Sequence, residues 1–419
     1  MKYFFILGSN PTLSLAELAA IFHDGRLSLV QKNIAILEIS QEIKAKIIKK
    51  IGGVIKFGAV HGELFSFNPK DILKSMASFS KPEKSESKFN FGISFYGKAK
   101  INIKILGMEF KKLLKQAGLN SRWVISREPT LSSVVVEQNK LTSDRGVEIV
   151  MIEFNKKLFL GKTIAVQPFK ELSFRDYGRP ARDDRSGMLP PKLAQIMINL
   201  ALAPSPSKGE GGGEVTILDP FCGSGTIITE ALLMGFKNII GADISNRALN
   251  DTKTNFVWIQ SNFQISTLNF KLFNADATQI SKKIAPNSVN AIITEPYLGP
   301  QNSGFEIAKV VKELEQLYSK SLKEFKKILK PAGRIVMIWP VFKVNHLSLR
   351  GSASDRSNLT DSVPRKTLNP DIVGLKIVNP IPANLQKNIF LKLTSRETMV
   401  YGREEQRVWR EIVILEKQN

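Results

Sequence analysis

The segment "ILDPFCGSGTIITEA" (217–231) constrains the fold of this chain more than any other stretch. A short apolar strand ends at Asp219, a Gly-X-Gly turn follows, and an apolar helix begins directly after the turn. Ligands of open α/β sheets bind at the carboxyl ends of the strands, and Gly223 and Gly225 let a ligand approach the backbone. The segment lacks the Lys-Ser/Thr pair of a phosphate-binding loop and the spacing of a dinucleotide-binding motif.

The same strand–helix alternation continues to the end of the chain. "NIIGADI", "TLNFKLFNAD", "VNAIITEP" and "RIVMIWPVF" read as further strands, and a long helix is predicted over residues 306–329. This pattern predicts a Rossmann-like, doubly wound α/β domain with a mostly parallel sheet. Asp243 ends the second strand of the domain and Asp276 ends the third.

Three acids at three successive strand ends indicate an adenosine-bearing ligand. Asp243 lies where a ribose diol could donate to it, and Asp276 lies where an adenine amino group could donate. S-adenosylmethionine fits this pattern, because it has a base, a sugar and an amino-acid tail but no pyrophosphate. With neighbouring residues included, the predicted cofactor site consists of Asp219, Phe221, Gly223, Gly225, Asp243, Ile244, Asp276 and Ala277.

Composition excludes several classes of protein. One cysteine and three scattered histidines leave no disulfide framework and no metal cluster built from those residues. We interpret Cys222 as a small buried residue under the turn and not as a nucleophile. No run of 18 apolar residues occurs, and the N-terminus lacks a signal-peptide pattern. We therefore expect a cytoplasmic protein without a membrane span.

The charge indicates a polyanionic partner. The chain has 60 basic and 38 acidic residues, and residues 1–170 alone contain 27 basic and 14 acidic ones. Basic surfaces bind nucleic acid because neutralised phosphates release condensed counterions. A cluster within 17 residues is the predicted nucleic-acid-binding set, namely Lys111, Lys112, Lys115, Arg122 and Arg127.

The chain changes character near residue 170. Before it, short strands and helices alternate as in small α+β domains. "SSVVVEQNKL" (132–141) reads as one of those strands, and residues 203–214 read as a flexible low-complexity loop. The predicted segments are 1–60 (ferredoxin-like), 61–168 (RNA-binding), 169–202 (connector and lead-in helix), 203–214 (loop) and 215–419 (α/β domain).

The ordered motifs "DPFCGSGTIITEA", "GADIS", "NADA" and "EPYLG", behind a basic N-terminal region, resemble a known family. The chain is similar to the THUMP-domain RNA methyltransferases, specifically those that methylate N2 of guanosine 10 in tRNA. The segments "MKYFFILGSNPTLSLAEL", "FGISFYG", "GLNSRWV" and "LSSVVVEQNKL" are similar to the family's ferredoxin-like and THUMP regions. The resemblance implies a class I methyltransferase domain, S-adenosylmethionine as cofactor and tRNA as partner. It leaves open the oligomeric state and the need for a small protein partner.

The resemblance also implies roles for individual residues. Asp219, Gly223 and Gly225 would line the methionine end of the cofactor, Asp243 would hold the ribose, and Asp276 the adenine. The stretch Met188-Leu189-Pro190-Pro191 would lie near the methionine tail, and Pro296 and Tyr297 would form the side that receives the target base.

The predicted catalytic loop departs from the family pattern of Asp/Asn/Ser-Pro-Pro-aromatic. Thr294 occupies the position of the acid, Glu295 replaces the first proline, and Pro296 and Tyr297 match the remainder. One hypothesis is that Glu295 accepts a hydrogen bond from the target amino group. The alternatives are another acceptor, no reaction, or a Glu295 salt bridge at the rim of the cleft.

Three functions follow from these observations. The first is an S-adenosylmethionine-dependent tRNA methyltransferase acting on a guanine amino group. The second is a DNA amino-methyltransferase, and the third is an RNA-binding protein that binds the cofactor without turnover. The altered loop motivates the third, whereas the complete set of three acids argues against it.

Overall fold

The computed structural model describes residues 1–80, 88–182, 188–202, 215–263, 265, 269–300, 306–343, 365–372 and 374–418. The chain forms two compact units. The first comprises Met1–Pro11, Asp24–Lys50 and Val54–Pro168. The second comprises Thr12–His23, Ile51–Gly53 and Phe169–Asn419, and so includes most of helix α1 (Pro11–Ile21).

The first unit is built on a mixed eight-stranded sheet. Its strands are β1 (Lys2–Leu7), β2 (Arg26–Gln31), β3 (Ile34–Glu38), β4 (Val54–Leu64), β5 (Phe89–Tyr96), β6 (Ser121–Val124), β7 (Gly146–Phe154) and β8 (Lys157–Val166). Its helices are α2 (Pro69–Ser80), α3 (Ile103–Gln116), α4 (Ser133–Gln138) and a short 3-10 helix (Ala45–Lys50). The strand order is β2-β3-β1-β4-β8-β7-β5-β6, so one sheet spans the predicted boundary at residues 60/61, which falls within β4.

Helix α3 shows how the sequence builds this unit. Leu106, Phe110 and Leu114 follow one another at intervals of four, so they lie on one face and are buried. The Asn102 side chain caps the first turn by accepting from the Ile105 amide, and Gly118 follows the last turn with a φ of +78°.

The strand predicted over residues 132–141 is wrong, because the structure places helix α4 there. Ser132 caps this helix by accepting a hydrogen bond from the Val135 amide. Of its three consecutive valines, only Val136 is fully buried, and Val134 is 41% exposed. A local cap and one-sided burial therefore override the strand preference of a valine run.

The second unit has a nine-stranded sheet. Its strands are β9 (Thr216–Asp219), β10 (Asn238–Asp243), β11 (Asn269–Asn274), β12 (Val289–Thr294), β13 (Leu329–Lys343), β14 (Arg365–Thr367), β15 (Leu375–Ile377), β16 (Met399–Tyr401) and β17 (Val408–Lys417). Its further helices are α5 (Phe169–Tyr177), α6 (Pro191–Ala201), α7 (Thr226–Leu233), α8 (Asn246–Phe263), α9 (Ile307–Ile328) and a 3-10 helix (Ala277–Lys282).

The sheet order places the predicted site residues at one edge. The order is β11-β10-β9-β12-β13-β17-β15, with β14 paired to β13 and β16 to β17. Strands β9 to β13 are parallel and β17 runs antiparallel to β13. Parallel strands end at the same edge, so the ends of β9, β10, β11 and β12 meet there. The chain order reverses between β9 and β12, which is the switch point where open α/β sheets bind ligands.

Buried polar clusters connect the helices of this unit. On α5, the Arg175 guanidinium donates from two nitrogens to Glu230 on α7, at 2.6 and 3.0 Å, and Gln195 on α6 donates to the same carboxylate. Glu17 on α1 accepts from the amides of Gly52 and Gly53. These hydrogen bonds compensate the free-energy cost of burying the Arg175 charge and the two carboxylates.

Two sequence predictions lie beyond what the structure describes. The low-complexity loop 203–214 is outside the described residues, as is part of the connector, residues 183–187. Among the described helices, none is long and apolar enough to cross a membrane.

Candidate cofactor and acceptor site

A cavity of about 1100 Å³ opens at the carboxyl ends of the central strands of the second unit. It is lined by seven of the eight predicted cofactor residues, namely Asp219, Phe221, Gly223, Asp243, Ile244, Asp276 and Ala277. Met188 and Leu189 also line it, whereas Gly225, Pro190 and Pro191 do not. Glu295, Pro296 and Tyr297 line the same cavity, so both halves of the predicted site meet in one space.

The glycine-rich turn presents backbone to this cavity. Gly223 has a φ of +54° and Gly225 a φ of +83°, conformations that side-chain-bearing residues rarely adopt. A Cβ added at Gly223 would meet nothing within 4 Å, so the backbone there faces open space. Gly225 caps the N-terminus of α7, whose unpaired amides favour an anionic group such as a carboxylate.

Helix α8 supports the turn from behind. The buried Thr252 hydroxyl donates to the Gly223 carbonyl at 2.7 Å, and the Asn255 amide donates to the Ser224 carbonyl at 2.8 Å. A Cβ at Gly225 would approach Thr252 to 3.0 Å. Sequence reasoning missed both residues. Their spacing of three, with an apolar residue following at Phe256, was the available signal of polar groups on a buried helix face.

Each of the three acids makes the same kind of local hydrogen bond. Each aspartate accepts from the amide two residues further along the chain. The donors are Phe221 for Asp219 (3.2 Å), Ser245 for Asp243 (2.9 Å) and Thr278 for Asp276 (2.8 Å). This is the turn that aspartate side chains form with their own backbone. It fixes each carboxylate at the end of its strand.

Asp243 and Asp276 are partly exposed to the cavity. The second oxygen of Asp243 accepts from the Gly223 amide at 3.0 Å, which ties the acid to the glycine turn. Asp276 also accepts from the Thr278 hydroxyl at 2.8 Å. Ile244, directly after Asp243, is 70% exposed and adds an apolar surface to the cavity lining.

Asp219 is almost completely buried and touches Thr294. The Thr294 hydroxyl donates to Asp219 Oδ1 at 2.8 Å. Burial raises the pKa of the Asp219 carboxyl to about 7, an effect that hydrogen bonds from Thr294 and the Phe221 amide oppose and the charges of Asp243 and Glu295 reinforce. A cationic group arriving in the cavity would favour the ionised form.

The structure corrects the position predicted for Thr294. Its side chain is fully buried at the end of β12, it does not line the cavity, and its hydroxyl is used on Asp219. Thr294 thus supports Asp219 and does not face the cavity. Glu295, one residue later, is the first side chain of the loop that lines the cavity.

Glu295 forms an ion pair with Arg410 of β17. The distance from Arg410 Nε to Glu295 Oε1 is 2.5 Å, and their side chains are 12% and 14% exposed. Burial raises the pKa of the Glu295 carboxyl, and the Arg410 charge and hydrogen bond counteract part of that rise. Sequence reasoning missed Arg410, because 115 residues separate it from its partner.

The loop backbone at Tyr297 is held by α9. The Tyr318 hydroxyl donates to the Tyr297 carbonyl at 2.9 Å, and burial, followed by the Glu295 charge, raises the pKa of Tyr318 well above its ordinary value. The Tyr297 ring is 59% exposed and lines the cavity. The backbone at Tyr297 is therefore fixed while its aromatic ring stays accessible.

Cys222 lies under the turn, as interpreted from sequence. It is 5% exposed, and burial raises the pKa of its thiol. A thiol that stays protonated is a poor nucleophile. The five basic residues of the predicted nucleic-acid-binding set are all exposed on the first unit, and Lys112 pairs with Glu109.

Residues 179–357 match the family model described as UPF0020, RMKL-like, methyltransferase domain. This region is therefore similar to a methyltransferase domain. The match includes the glycine turn, the three acids and the Glu295 loop, whereas Arg410 lies outside it. It confirms the predicted enzyme class and supports the prediction of S-adenosylmethionine as cofactor.

Alignments with two curated relatives are longer than the region that matches the family model. Over 238 residues the chain is 28% identical to the tRNA (guanine(10)-N2)-dimethyltransferase of Methanothermobacter thermautotrophicus, covering 56% of this chain and 62% of that protein. It is 24% identical over 246 residues to the protein of the same name from Pyrococcus abyssi, covering 56% and 67%. These alignments span three-fifths to two-thirds of the relatives' lengths.

A solved structure agrees with the fold. The crystal structure of TrmN from Thermus thermophilus aligns over 100% of both chains with a TM-score of 0.51 and 16% sequence identity. This similarity, together with the family match, confirms the predicted α/β, class I methyltransferase fold.

Proposed function

We propose that this chain transfers a methyl group from S-adenosylmethionine to the exocyclic amino group of a guanine in tRNA. One observation supports this most directly: Glu295, Pro296 and Tyr297 line the same cavity as the three acids. The names of the relatives favour N2 of guanosine 10 as the target. Such an enzyme would act in the cytoplasm.

The residues of the cavity fit this cofactor. Asp243 would accept from the ribose hydroxyls and Asp276 from the adenine amino group, with Ile244 against the base. The open backbone at Gly223 and the first amides of α7 would hold the methionine carboxylate. Asp219 would face the ammonium end. Once bound, the cofactor supplies a methyl group already activated by its sulfonium.

The acceptor side must solve a different problem. The lone pair of an exocyclic amino nitrogen is delocalised into the base, so the nitrogen is a weak nucleophile. A Glu295 oxygen that accepts an amino hydrogen favours the pyramidal form, in which the lone pair is available. The exposed ring of Tyr297 offers a surface on which an extruded base can stack. Orientation then contributes most of the rate.

The first unit would bind the RNA. The five basic side chains of the predicted set are exposed, and proteins usually bind RNA through its backbone and shape while a base in an unpaired region is presented. Lys111, Lys112 and Lys115 on α3, with Arg122 and Arg127 beyond it, are the residues we assign to that contact. The resemblance to THUMP regions supports the same assignment.

The test is methyl transfer from labelled S-adenosylmethionine to unmodified tRNA and, in parallel, to duplex DNA, followed by identification of the labelled nucleoside. We expect N2-methylguanosine from tRNA and no label in DNA. Label in adenine or cytosine of DNA would overturn the proposal in favour of a DNA enzyme. Cofactor binding without label in either polymer would identify a binding protein without turnover.

A further inference from the structure

We propose that Arg410 is a positioning residue that holds the Glu295 carboxylate in the orientation and charge state needed at the acceptor side of the cavity. This inference rests on the proposed function, because it assigns Glu295 a role in the reaction. Arg410 lies outside the region that matches the methyltransferase family model, on the antiparallel strand β17.

The contact leaves one carboxylate oxygen for another partner. Arg410 Nε donates to Oε1 of Glu295 at 2.5 Å, which fixes the rotation of the side chain, and Oε2 is the oxygen that would accept from an amino group. Both side chains are largely shielded from solvent. A charge-assisted hydrogen bond of this kind is shorter and stronger than one between neutral groups.

The backbone of Arg410 is itself held on both sides. In the sheet, Arg410 pairs with Pro340 of β13 and with Tyr401 of β16. At the other partner, Glu295 directly follows β12, which pairs with β13. The ion pair therefore connects two strands that flank β13, and a rigid sheet sets its geometry.

Among the residues that the structure describes, three charged or titratable groups interact electrostatically with Glu295. Arg410 on β17 favours the carboxylate, Asp219 at the end of β9 interacts with it as a like charge, and the Tyr318 hydroxyl of α9 lies within its field. Burial already raises the pKa of Glu295. Arg410 is the one cation among these three groups, so its removal should let the carboxyl take up a proton at higher pH.

The first measurement is an NMR titration of the Glu295 carboxyl carbon in the full chain, assigned by the signal that Glu295→Gln removes. Arg410→Gln should shift the Glu295 titration upward by about 1–3 pH units, because an opposite charge in contact lowers a carboxyl pKa by that amount. Arg407→Gln, an equal charge change at an exposed position three residues earlier, should leave it unchanged.

The second measurement is a double-mutant cycle on methyl transfer. At pH 7, Arg410→Gln should slow the reaction about 10–100-fold in the native background and less than about 3-fold in the Glu295→Gln background. The loss should shrink as pH rises, since the carboxyl ionises again above its raised pKa. Arg410→Lys keeps the positive charge but loses the planar guanidinium donor. In this variant the Glu295 carboxyl should titrate as in the native protein, and methyl transfer should still be slower.

The outcomes separate the two claims. An unshifted Glu295 titration in folded Arg410→Gln protein, or the same rate loss in both backgrounds at every pH, would show that Arg410 has only a structural role. If the native protein methylates no nucleic acid at all, the proposed function fails, while the titration still decides whether Arg410 sets the state of Glu295.

Discussion

The two ends of the cavity hold their carboxylates in different ways. At the proposed cofactor end, Asp219, Asp243 and Asp276 each accept from an amide two residues further along. At the proposed acceptor end, Glu295 is held by Arg410, a side chain 115 residues away. The aspartate turns are encoded within a few residues, and contacts from Thr294 and Gly223 add to them. The Glu295 contact exists only after the sheet has formed.

This difference suggests a division of labour. A carboxylate fixed by its own turn keeps its place whenever its strand is formed, which suits recognition of a common cofactor. A carboxylate fixed by a distant arginine depends on the β12–β13–β17 part of the sheet. Substitutions on β17 can thus change the position of Glu295 while the local turns of the three aspartates stay in place.

The largest expected effect is the loss of methyl transfer when Glu295, at the proposed acceptor end, is replaced. Glu295→Gln keeps the length of the side chain and its Oε1 acceptor but loses the charge, so methyl transfer should fall about 10³-fold. Cofactor and RNA affinities should stay within a factor of about three of the native values, measured by calorimetry and filter binding. Glu313→Gln, at an exposed position on α9, is the matched control. Full activity of Glu295→Gln would reduce Glu295 to an ion-pair partner at the rim.

The next effect concerns the buried charge at the cofactor end. The pKa of Asp219 is about 7 in the folded protein and near 3.8 ordinarily, so the cofactor-free protein loses stability as pH rises through this window. Asp219→Asn keeps the Oδ1 acceptor and removes the charge. It should raise the free energy of unfolding by about 4 kcal/mol at pH 8, and by about two-fifths of that at pH 5.

Urea unfolding at the two pH values measures this gain. The same variant should bind the cofactor more weakly, because the carboxylate that would face its ammonium group is gone. An equal gain at both pH values would mean that Asp219 is not the group that titrates in this window.

A smaller effect should separate cofactor binding from RNA binding. Asp243→Ala removes the predicted ribose acceptor and the bond to the Gly223 amide, so cofactor affinity should fall about 30-fold, or about 2 kcal/mol. RNA affinity, measured without cofactor, should be unchanged. A parallel loss of both affinities would remove Asp243 from the cofactor site.

The smallest expected effect tests the support behind the glycine turn. Thr252→Val has the same shape but cannot donate to the Gly223 carbonyl, which should cost about 1 kcal/mol of stability and weaken cofactor binding in proportion. Thr254→Val, two residues along the same helix at an exposed position, should change stability by less than about 0.5 kcal/mol. Similar effects from both variants would contradict a specific role for Thr252.

The same comparison explains what the sequence could predict. The strands that end at Asp219, Asp243 and Asp276, and the turn at Gly223 and Gly225, were predictable because each rests on a local pattern of apolar residues, acid and glycine. The pairing of those strands in one sheet followed from their alternation with helices.

Long-range contacts were not predictable in this way. Thr294 looked like a catalytic residue from its place in the motif, yet its hydroxyl bonds to Asp219, 75 residues away. Arg410 gave no signal, because nothing near it in sequence marks a partner across the sheet. The Val-rich helix α4 was mistaken for a strand, since one-sided burial is set by the neighbours that pack on it.

Helix α1 belongs to the second unit but is synthesised long before most of that unit. Its Glu17 bonds to Asn199 on α6, as well as to the amides of Gly52 and Gly53. Protein synthesis adds about 5–20 residues per second. The roughly 150 residues between His23 and Phe169 therefore take some 7–30 seconds to synthesise, and during that time α1 lacks most of the unit to which it belongs. A fragment starting at Phe169 would contain every predicted site motif of the second unit and still lack the helix whose Glu17 accepts a hydrogen bond from Asn199 on α6.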